Sequence, residues 1–390
     1  MLTGTLGDDW WAILFWLSGA GVFYTFLGYP LLIGQLSRLR PKMEAKPCEN
    51  VEWPTVSIVV PAYNEAGRIR GRVQNLLNSD YPADKLEIIV VSDGSTDGTV
   101  SAVEGLGEHR VKITVRPQRS GKAACLNAGV AQAVGELVVF ADARQSFAHD
   151  TIRCLARHFI NPQIGAVSGS LEIAPAAGGA GAGVDAYWRL EKYLREAEAR
   201  WDSCIGCTGA VYAIRRRLYQ PLPEDTILDD VVIPMRIAIK GFRVLHDPAA
   251  LATDPQPLEP QLERRRKRRT LAGNFQMLFR HPGWLLPWRN RLWWQLLSHK
   301  YLRLVAPGLL AVVLLAAFAL RQHPFYAAMF WAQIAFYVLA LIGAATRSLK
   351  MPLFSWPAGF VFLNLMTVAG FWYYLRESGK TGWEKGNTAG

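Results

Sequence analysis

Four long apolar runs constrain what this chain can fold into more than any other feature. They cover residues 11–36, 303–320, 325–345 and 353–375. Because about 20 apolar residues in a helix cross the roughly 30 Å hydrocarbon core of a bilayer, each run is long enough to be a transmembrane helix. Between the first two runs, residues 54–275 have the composition of an ordinary globular domain. We therefore predict a water-soluble domain inserted between transmembrane helices.

The charges beside the first run predict its orientation. Asp8 and Asp9 precede it, where a cleaved signal peptide would have basic residues. The residues that follow the run are basic, namely Arg38, Arg40, Lys42 and Lys46. Since basic residues favour the cytoplasmic side, the domain is expected in the cytoplasm. The weakly charged C-terminal segment favours neither side, so the number of later crossings stays open.

The segment between the domain and the second run is expected to contact lipid. Residues 276–302 include four Trp, and Trp is enriched at membrane–water interfaces, so we predict amphipathic interface helices there. The net charge of +11 includes the basic run 264–269, which suits anionic headgroups or phosphates. Because the run lacks the interleaved aromatic residues of RNA-binding segments, membrane lipids are expected as partners and nucleic acid is not.

The globular interval alternates short strands with helices. Apolar, β-branched runs indicate strands at 56–61, 86–93, 111–115 and 136–142. Helical patterns lie at 67–79, 97–105 and 123–134, and later at 187–199, 225–239 and 261–279. This alternation predicts an α/β fold with a parallel sheet and right-handed crossovers. A return strand is predicted within 206–215, and the Gly- and Ala-rich stretch 174–184 is predicted to be a flexible loop that gates the site.

Polar side chains stand at the carboxyl ends of three predicted strands. Tyr63 and Glu65 follow the first strand, Asp93 ends the second, and Asp142 ends the fourth. Ligands of open α/β sheets bind at this edge. Asp93 and Asp142 are therefore candidates to share Mg²⁺ or Mn²⁺, which prefer a few carboxylates together with substrate phosphate oxygens. Such an ion would stabilise a departing nucleoside diphosphate as a Lewis acid.

Two further motifs have both a chemical and a structural interpretation. Lys122 follows Ser120 and Gly121, but the segment is not a P-loop because Ala123 stands where Ser or Thr is required. Lys122 is either a point charge for a diphosphate or a solvated surface lysine. Asp229 and Asp230 precede a predicted helix, where one is a candidate general base. The structural alternative is that they cap the helix and complement its dipole.

Taken in order, these motifs resemble the family 2 glycosyltransferases. The matching segments are 60–65, 91–95, 121–127, 140–143 and 228–230, followed by the basic helix that contains Arg269. The resemblance covers about residues 54–275. It is closest to the membrane-embedded branch that includes cellulose, hyaluronan and poly-N-acetylglucosamine synthases.

This resemblance implies a GT-A, Rossmann-like fold and an inverting transfer from a nucleotide sugar, usually a UDP-sugar, to a polysaccharide or lipid-linked acceptor. It implies a multi-pass protein of the bacterial inner membrane with a cytoplasmic catalytic domain. A homo-oligomer and a partner subunit both stay open. The implied nucleotide-binding residues are Tyr63, Glu65, Asp93, Lys122 and Arg269. The implied metal ligand is Asp142, with Asp93 the second candidate from its position at the sheet edge, and Asp230, beside Asp229, is the implied base for the acceptor hydroxyl.

The sequence departs from the family pattern at two positions. Arg144 stands where the second Asp of the Asp-x-Asp metal motif is expected. This leaves open a metal held by Asp93 and the diphosphate, or a phosphate contact by Arg144. Thr270, after Arg269, replaces the Trp that stacks on acceptor sugar in processive members. Single-sugar transfer therefore competes with polymerisation, and Arg144 also raises the alternative of a catalytically inactive UDP-binding membrane subunit.

Overall fold

The computed structural model describes residues 6–41, 52–173, 182–255, 260–346 and 351–377. Its strands are β1 (Val56–Ala62), β2 (Leu86–Asp93), β3 (Val111–Arg116), β4 (Leu137–Ala141), β5 (Ser146–Phe147), β6 (Ile164–Ile173), β7 (Val211–Arg215) and β8 (Arg243–Asp254). Its helices are α1 (Leu6–Phe23), α2 (Tyr29–Arg38), α3 (Ala66–Leu77), α4 (Thr99–Glu104), α5 (Lys122–Gln132), α6 (Thr151–Ala156), α7 (Ala182–Trp201), α8 (Asp229–Ile239), α9 (Pro260–Arg280), α10 (Trp293–Leu296), α11 (Leu302–Ala319), α12 (Pro324–Ala345) and α13 (Pro352–Glu377).

The described strands form one mixed sheet in the order β3-β2-β1-β4-β7-β6-β8-β5. The first four strands in this order are parallel, as predicted. β7 corresponds to the predicted return strand and pairs antiparallel with both β4 and β6. β6 and β8 are parallel to each other, and β5 is antiparallel to β8. The sheet is therefore mixed and Rossmann-like, in agreement with the GT-A fold that the resemblance implies.

Both faces of the inner strands β1, β2 and β4 are covered, which explains why these strands are almost continuously apolar, whereas the edge strand β3 alternates with polar residues and is partly exposed. Every residue of β1 is buried. Successive side chains of a strand point to opposite faces, so Ile58 packs with Ile69 of α3 while Val59 packs with Leu126 of α5. A side chain at Gly129 of α5 would collide with Val59. This close approach of α5 to β1 fixes the position of its first residue, Lys122.

Several predicted bounds differ from the observed elements. The helix predicted over 225–239 begins at Asp229, after a turn in which the Thr226 amide donates to the Pro223 carbonyl. Strands β5, β6 and β8 lie in stretches where no strand was predicted from the sequence. Most of the predicted gating loop, residues 174–181, lies outside the described residues.

The predicted interface helices over 276–302 are not separate helices. α9 continues to Arg280 and a 3₁₀ turn follows at Pro282–Leu285. From Trp293 the chain is helical without interruption to Ala319. Because a proline removes an amide donor and clashes with the preceding helical turn, Pro282 and Pro287 separate these two helices.

Four helical stretches are long and apolar enough to cross a bilayer, namely Asp9–Arg38, Trp293–Ala319, Pro324–Ala345 and Pro352–Arg376. Large apolar side chains on their outer surfaces are exposed in the isolated chain; Leu17 is 67% and Trp331 is 66% exposed. Exposed apolar surface of this extent on helices of this length indicates contact with lipid. The chain is therefore a membrane protein whose domain is flanked by apolar helices.

A buried polar cluster joins the domain to these helices. Tyr29 of α2 donates a hydrogen bond to Glu198 of α7 at 2.6 Å, and Nδ1 of His299 lies 2.8 Å from the same Glu198 oxygen. Nε2 of His299 lies 3.2 Å from Glu191 of α7, which also forms an ion pair with Arg303. We call Tyr29, Glu191, Glu198, His299 and Arg303 the membrane-side cluster.

Candidate active site

The loops after β1 and β2 are fixed to each other. Asn64 adopts a left-handed conformation with φ of 51°, which asparagine tolerates better than most residues. Its side-chain oxygen accepts the Thr96 amide at 2.8 Å, and its own amide donates to the Ser95 hydroxyl at 3.1 Å. The Glu65 amide donates to the Thr99 hydroxyl at 2.8 Å. These bonds place the Tyr63–Glu65 turn beside the end of β2.

Tyr63 and Glu65 are partly buried in this loop pair. The Arg119 guanidinium lies over the Tyr63 ring, 4.3 Å from its centroid, which is a cation–π geometry. Glu65 forms an ion pair with Arg68 at 3.1 Å. The structure therefore places Tyr63 against the loop that precedes Lys122, while its role and that of Glu65 in nucleotide binding stay predictions.

Asp93 is fully buried at the end of β2 and holds that loop. Its two oxygens accept the amides of Ser120 and Gly121 at 2.7 and 2.9 Å. Gly94 has φ of 65°, and a side chain there would lie 2.7 Å from the Arg119 nitrogen, so this approach requires glycine. Asp93 thereby positions the first turn of α5. Its roles at the uridine and at a metal stay predictions.

Lys122, the first residue of α5, lies between acidic side chains from two other elements. Its ammonium nitrogen is 3.0 Å from Asp142, just after β4, and 3.4 Å from Asp229 of α8. The lysine side chain is only 15% exposed and is paired with carboxylates, so the solvated-surface alternative is wrong. Burial alone would lower the pKa of Lys122, but Asp142, Asp229 and Asp230 together raise it above its ordinary value. We call Lys122, Asp142, Asp229 and Asp230 the acid-base cluster.

Asp229 and Asp230 form the first turn of α8, but they do not cap it. The N-cap position is Leu228, and no side chain makes a capping hydrogen bond there. Asp229 is buried, and one of its oxygens accepts no hydrogen bond from the described residues. Burial and the neighbouring Asp229 raise the pKa of Asp230 from 3.8 to about 6, against the lowering effect of Lys122. Asp230 is thus poised to accept a proton near neutral pH.

Arg144 has a partner inside the protein. Its guanidinium donates two hydrogen bonds to Asp254 at the end of β8, at 3.0 and 2.6 Å, and Gln145 donates a third at 3.0 Å. Asp254 is only 1% exposed. The arginine in the metal motif therefore neutralises a buried carboxylate that sequence reasoning missed. The sequence signal that could have identified Asp254 is its position as an acidic residue at the end of a strand.

Arg269 lies on α9, which packs against the start of α8. A side chain at Gly273, four residues further along α9, would collide with Ile227 and Leu228, immediately before Asp229. Arg269 is partly buried, and its role at the diphosphate stays a prediction. Arg195 of α7 was also missed: it donates to Thr208, and its charge lowers the pKa of Asp230. Because Arg195 lies in a helix whose charges alternate evenly, the sequence did not distinguish it as a site residue.

The acidic residues fit a divalent ion that is held largely by its substrate. Among the described residues, no group of three or more His, Cys, Asp and Glu side chains is arranged to hold a metal ion. Asp142 is 37% exposed, whereas the Asp229 oxygen that accepts no hydrogen bond is the one 3.4 Å from the Lys122 ammonium. Mg²⁺ commonly takes one or two carboxylates and completes its shell with substrate phosphates and water. Asp142 satisfies that requirement.

Residues 57–222 match the family model "Glycosyl transferase family 2". The chain is 28% identical over 237 residues to the probable glycosyltransferase YdaM of Bacillus subtilis, covering 57% of this chain and 56% of that protein. It is 27% identical over 249 residues to the beta-monoglucosyldiacylglycerol synthase of Synechocystis, covering 59% of this chain and 51% of that protein. The chain thus spans about half the length of these curated relatives.

A solved structure is similar over nearly the whole chain. It is a mannosyltransferase from Pyrobaculum calidifontis in complex with GDP-Man and Mn²⁺, with a TM-score of 0.69 and 25% identity, covering 93% of this chain and 99% of that one. The fold and the site thus define a glycosyltransferase domain of the nucleotide-sugar-dependent GT-A type. More particularly, the chain carries a family 2 glycosyltransferase domain.

Proposed function

We propose that the protein is an inverting glycosyltransferase that uses a nucleotide sugar, expected to be a UDP-sugar, at the cytoplasmic surface of a bacterial inner membrane. The observation that carries this proposal is the acid-base cluster. One partly buried lysine lies among three carboxylates at the carboxyl edge of the sheet, and one of those carboxylates, Asp230, has a pKa raised to about 6.

Asp230 is the proposed general base. As the acceptor hydroxyl oxygen bonds to the anomeric carbon, its proton moves to the Asp230 carboxylate. The bond from the anomeric carbon to the diphosphate oxygen breaks, and its electron pair leaves with the nucleoside diphosphate. This single displacement inverts the configuration. A pKa of about 6 keeps Asp230 ionised at neutral pH while making it a stronger base than an ordinary aspartate.

The other proposed roles are those that the family resemblance implies. Tyr63 and Glu65 bind the nucleoside end, and Asp93 holds the loop that places Lys122. Lys122 balances diphosphate charge together with Arg269. Mg²⁺ or Mn²⁺, held by Asp142 and the diphosphate with Asp93 as a second candidate ligand, would supply Lewis-acid stabilisation of the leaving group.

The acceptor is proposed to be lipid-linked and to receive a single sugar. Thr270 lacks the aromatic face on which an acceptor sugar stacks, and the domain adjoins membrane helices. The Synechocystis relative is named for a glycolipid product, which agrees with this proposal. A polysaccharide acceptor is the alternative. Product length with a labelled donor separates them, because single addition and a ladder of products exclude each other.

The test is nucleotide release by the purified full chain in lipid, with a panel of UDP- and GDP-sugars and with Mg²⁺ or Mn²⁺. One donor should be turned over in a metal-dependent reaction. Asp230→Asn should reduce the rate by about 10²–10⁴-fold, the contribution of a general base. Asp225→Asn is the matched control, since Asp225 pairs with Arg280 at a partly exposed site and should keep nearly full activity.

If no donor gives nucleotide release, UDP binding to the protein would be measured. Tight UDP binding without turnover, even with membrane lipid extract as acceptor and partner source, would favour the inactive nucleotide-binding subunit. Absence of both turnover and binding would exclude both functions. Equal turnover by the wild type and Asp230→Asn would leave a transferase but remove Asp230 as its base.

A further inference from the structure

The last long helix, α13, adjoins the domain side of the membrane at both ends. Contacts with α7 of the domain show which end of α2 faces the domain. Tyr29 donates a hydrogen bond to Glu198, and the Pro30 carbonyl accepts one from Tyr193 at 3.4 Å. On the helix that begins at Trp293, the residue that faces the domain is His299, which also contacts Glu198. Residues near 29 and 299 therefore lie where the membrane helices meet the domain.

α11 and α12 leave this side and return to it. Near the far turn, the rings of Phe318 and Phe330 are 5.4 Å apart. Midway, Gln333 of α12 donates to the Leu310 carbonyl of α11 at 3.0 Å. At a rise of 1.5 Å per residue, His299 lies about 17 Å from Leu310 along its helix. Ala345 lies about the same distance from Gln333 along α12. α12 therefore ends near the level of His299.

α13 begins beside that end of α12. A side chain at Gly343 would collide with the Phe354 carbonyl. Further along, Phe360 contacts both Phe336 of α12 and Phe26, just before α2, with ring centroids 5.7 and 4.9 Å apart. The start of α13 thus lies at the domain side of the bundle, and Phe360 reaches the level of Phe336, nine residues before the end of α12.

The other end of α13 packs on the domain itself. Phe371 contacts Phe275 of α9 with centroids 5.0 Å apart, and Tyr374 stacks on Phe279 at 5.6 Å. This part of α9 is anchored to the loop before α8, because Arg280 pairs with Asp225 at 2.6 Å. α13 has 26 residues, about 39 Å, which suffices to cross a bilayer. With both ends on one side, it must instead run along the membrane surface.

One face of α13 remains apolar and uncovered. Its exposed large side chains are Leu353, Trp356, Leu365, Val368, Trp372 and Leu375, each 43–61% exposed. The last four, Leu365, Val368, Trp372 and Leu375, recur at intervals of three and four residues and so share one side of the helix. Two of the exposed side chains are Trp, which favours the membrane interface, and Arg376 follows at the end. Phe360 joins this face to the membrane helices.

We propose that α13 is a membrane-surface helix whose outer apolar face enters the domain-side lipid leaflet, so that the chain crosses the membrane three times. Arg376 then shares the domain side with Arg38 and Arg40, in agreement with the positive-inside rule. Through α9, this helix connects the lipid surface to the segment that precedes Asp229. The topology does not depend on the proposed activity.

Spin-label depth measurements on the full chain in liposomes test the proposal. Single cysteines would replace Leu353, Leu365 and Leu375 in a Cys48→Ser background, in which the remaining native cysteines are buried. Relative accessibility to oxygen and to a water-soluble nickel complex should place all three labels at similar, shallow depths. Trp331→Cys, in the middle of α12, is the deep control. A Leu365 label as deep as that control would overturn the proposal.

Sidedness gives an independent readout. In sealed vesicles, an impermeant maleimide should label Arg376→Cys on the same side as Glu104→Cys in the domain, and opposite to Arg321→Cys between α11 and α12. Labelling of Arg376→Cys with Arg321→Cys would show four crossings and overturn the proposal. A Leu365 label that is immobilised and shielded from both relaxing agents would show that a second copy of the chain, not lipid, covers this face, and would also overturn it.

Discussion

The acid-base cluster and the membrane-side cluster both bury carboxylates beside cations, but they shift carboxylate pKa values in opposite directions. Burial alone would raise the pKa of Glu191, yet Arg303, Lys300 and His299 hold it well below its ordinary value. The pKa of Asp230 is raised because burial and Asp229 outweigh its cations. Carboxylates matched by cations stabilise a structure, whereas carboxylates in excess remain able to take up a proton or a ligand.

The two shifts make opposite contributions to the pH dependence of stability. Glu191 has a lower pKa folded than unfolded, so it stabilises the fold above about pH 4.5, and this contribution is lost as pH falls through its folded pKa. Asp230 has a higher pKa folded than unfolded. Its ionisation therefore destabilises the fold at neutral pH, and the penalty disappears as pH falls from about 6 toward 3.8.

The largest expected effect on stability is that of Glu191→Gln. The change removes the charge that Arg303 and Lys300 face, and leaving buried cations uncompensated costs about 3–5 kcal/mol. Thermal unfolding of the detergent-solubilised protein should show a clear loss at neutral pH. The matched variant is Asp230→Asn, which should unfold no earlier than the wild type. If Asp230→Asn were the less stable of the two, the contrast between the clusters would fail.

The next effect concerns Arg144, whose carboxylate partner is as buried as those of the membrane-side cluster. Arg144→Ala leaves Asp254 with fewer donors and should cost about 1–3 kcal/mol of unfolding free energy. Because Arg144 is assigned to Asp254 and not to the substrate, the metal concentration for half-maximal activity should stay unchanged. A large shift in that concentration at normal stability would instead place Arg144 at the diphosphate.

A smaller effect is expected in the pH profile. Because Asp230 must be ionised to act as a base, kcat/KM should fall on the acid side with an apparent pKa near 6. Lys122→Gln removes a charge that lowers this pKa, so the acid limb should move upward by about one pH unit, or about 1.4 kcal/mol. Lys122→Arg should keep the limb near its original position. If the acid limb did not move in Lys122→Gln, the charge of Lys122 would not determine the pKa of Asp230.

The smallest effect is expected for a carboxylate outside both clusters. Asp225 pairs with Arg280 at 2.6 Å, but both side chains are about 30% exposed. Since solvent screens such pairs, Asp225→Asn should change the unfolding free energy by less than about 1 kcal/mol. A loss comparable to that of Glu191→Gln would mean that the α9 anchor, and not burial of charge, determines stability here.

Much of the site was predictable because it lies where strands end. The apolar runs that end at Asp93 and near Asp142 are encoded locally, and parallel strands bring their carboxyl ends to one edge. The sequence also indicated Lys122 and the Asp229–Asp230 pair. It gave no indication that Asp93 would hold the loop before Lys122, or that Asp254 would take Arg144, since both contacts join residues distant in the chain.

The sequence by itself determined the alternation of strands and helices, the presence of long apolar helices and the set of acidic residues, because hydrophobic periodicity and turn chemistry are local. Tertiary structure alone decided which carboxylates share a cation, which ones keep a raised pKa, and how the last apolar helix lies against the domain. Burial and distance set these properties. They depend on packing between remote segments, and length and composition cannot distinguish a helix that crosses the bilayer from one that lies on it.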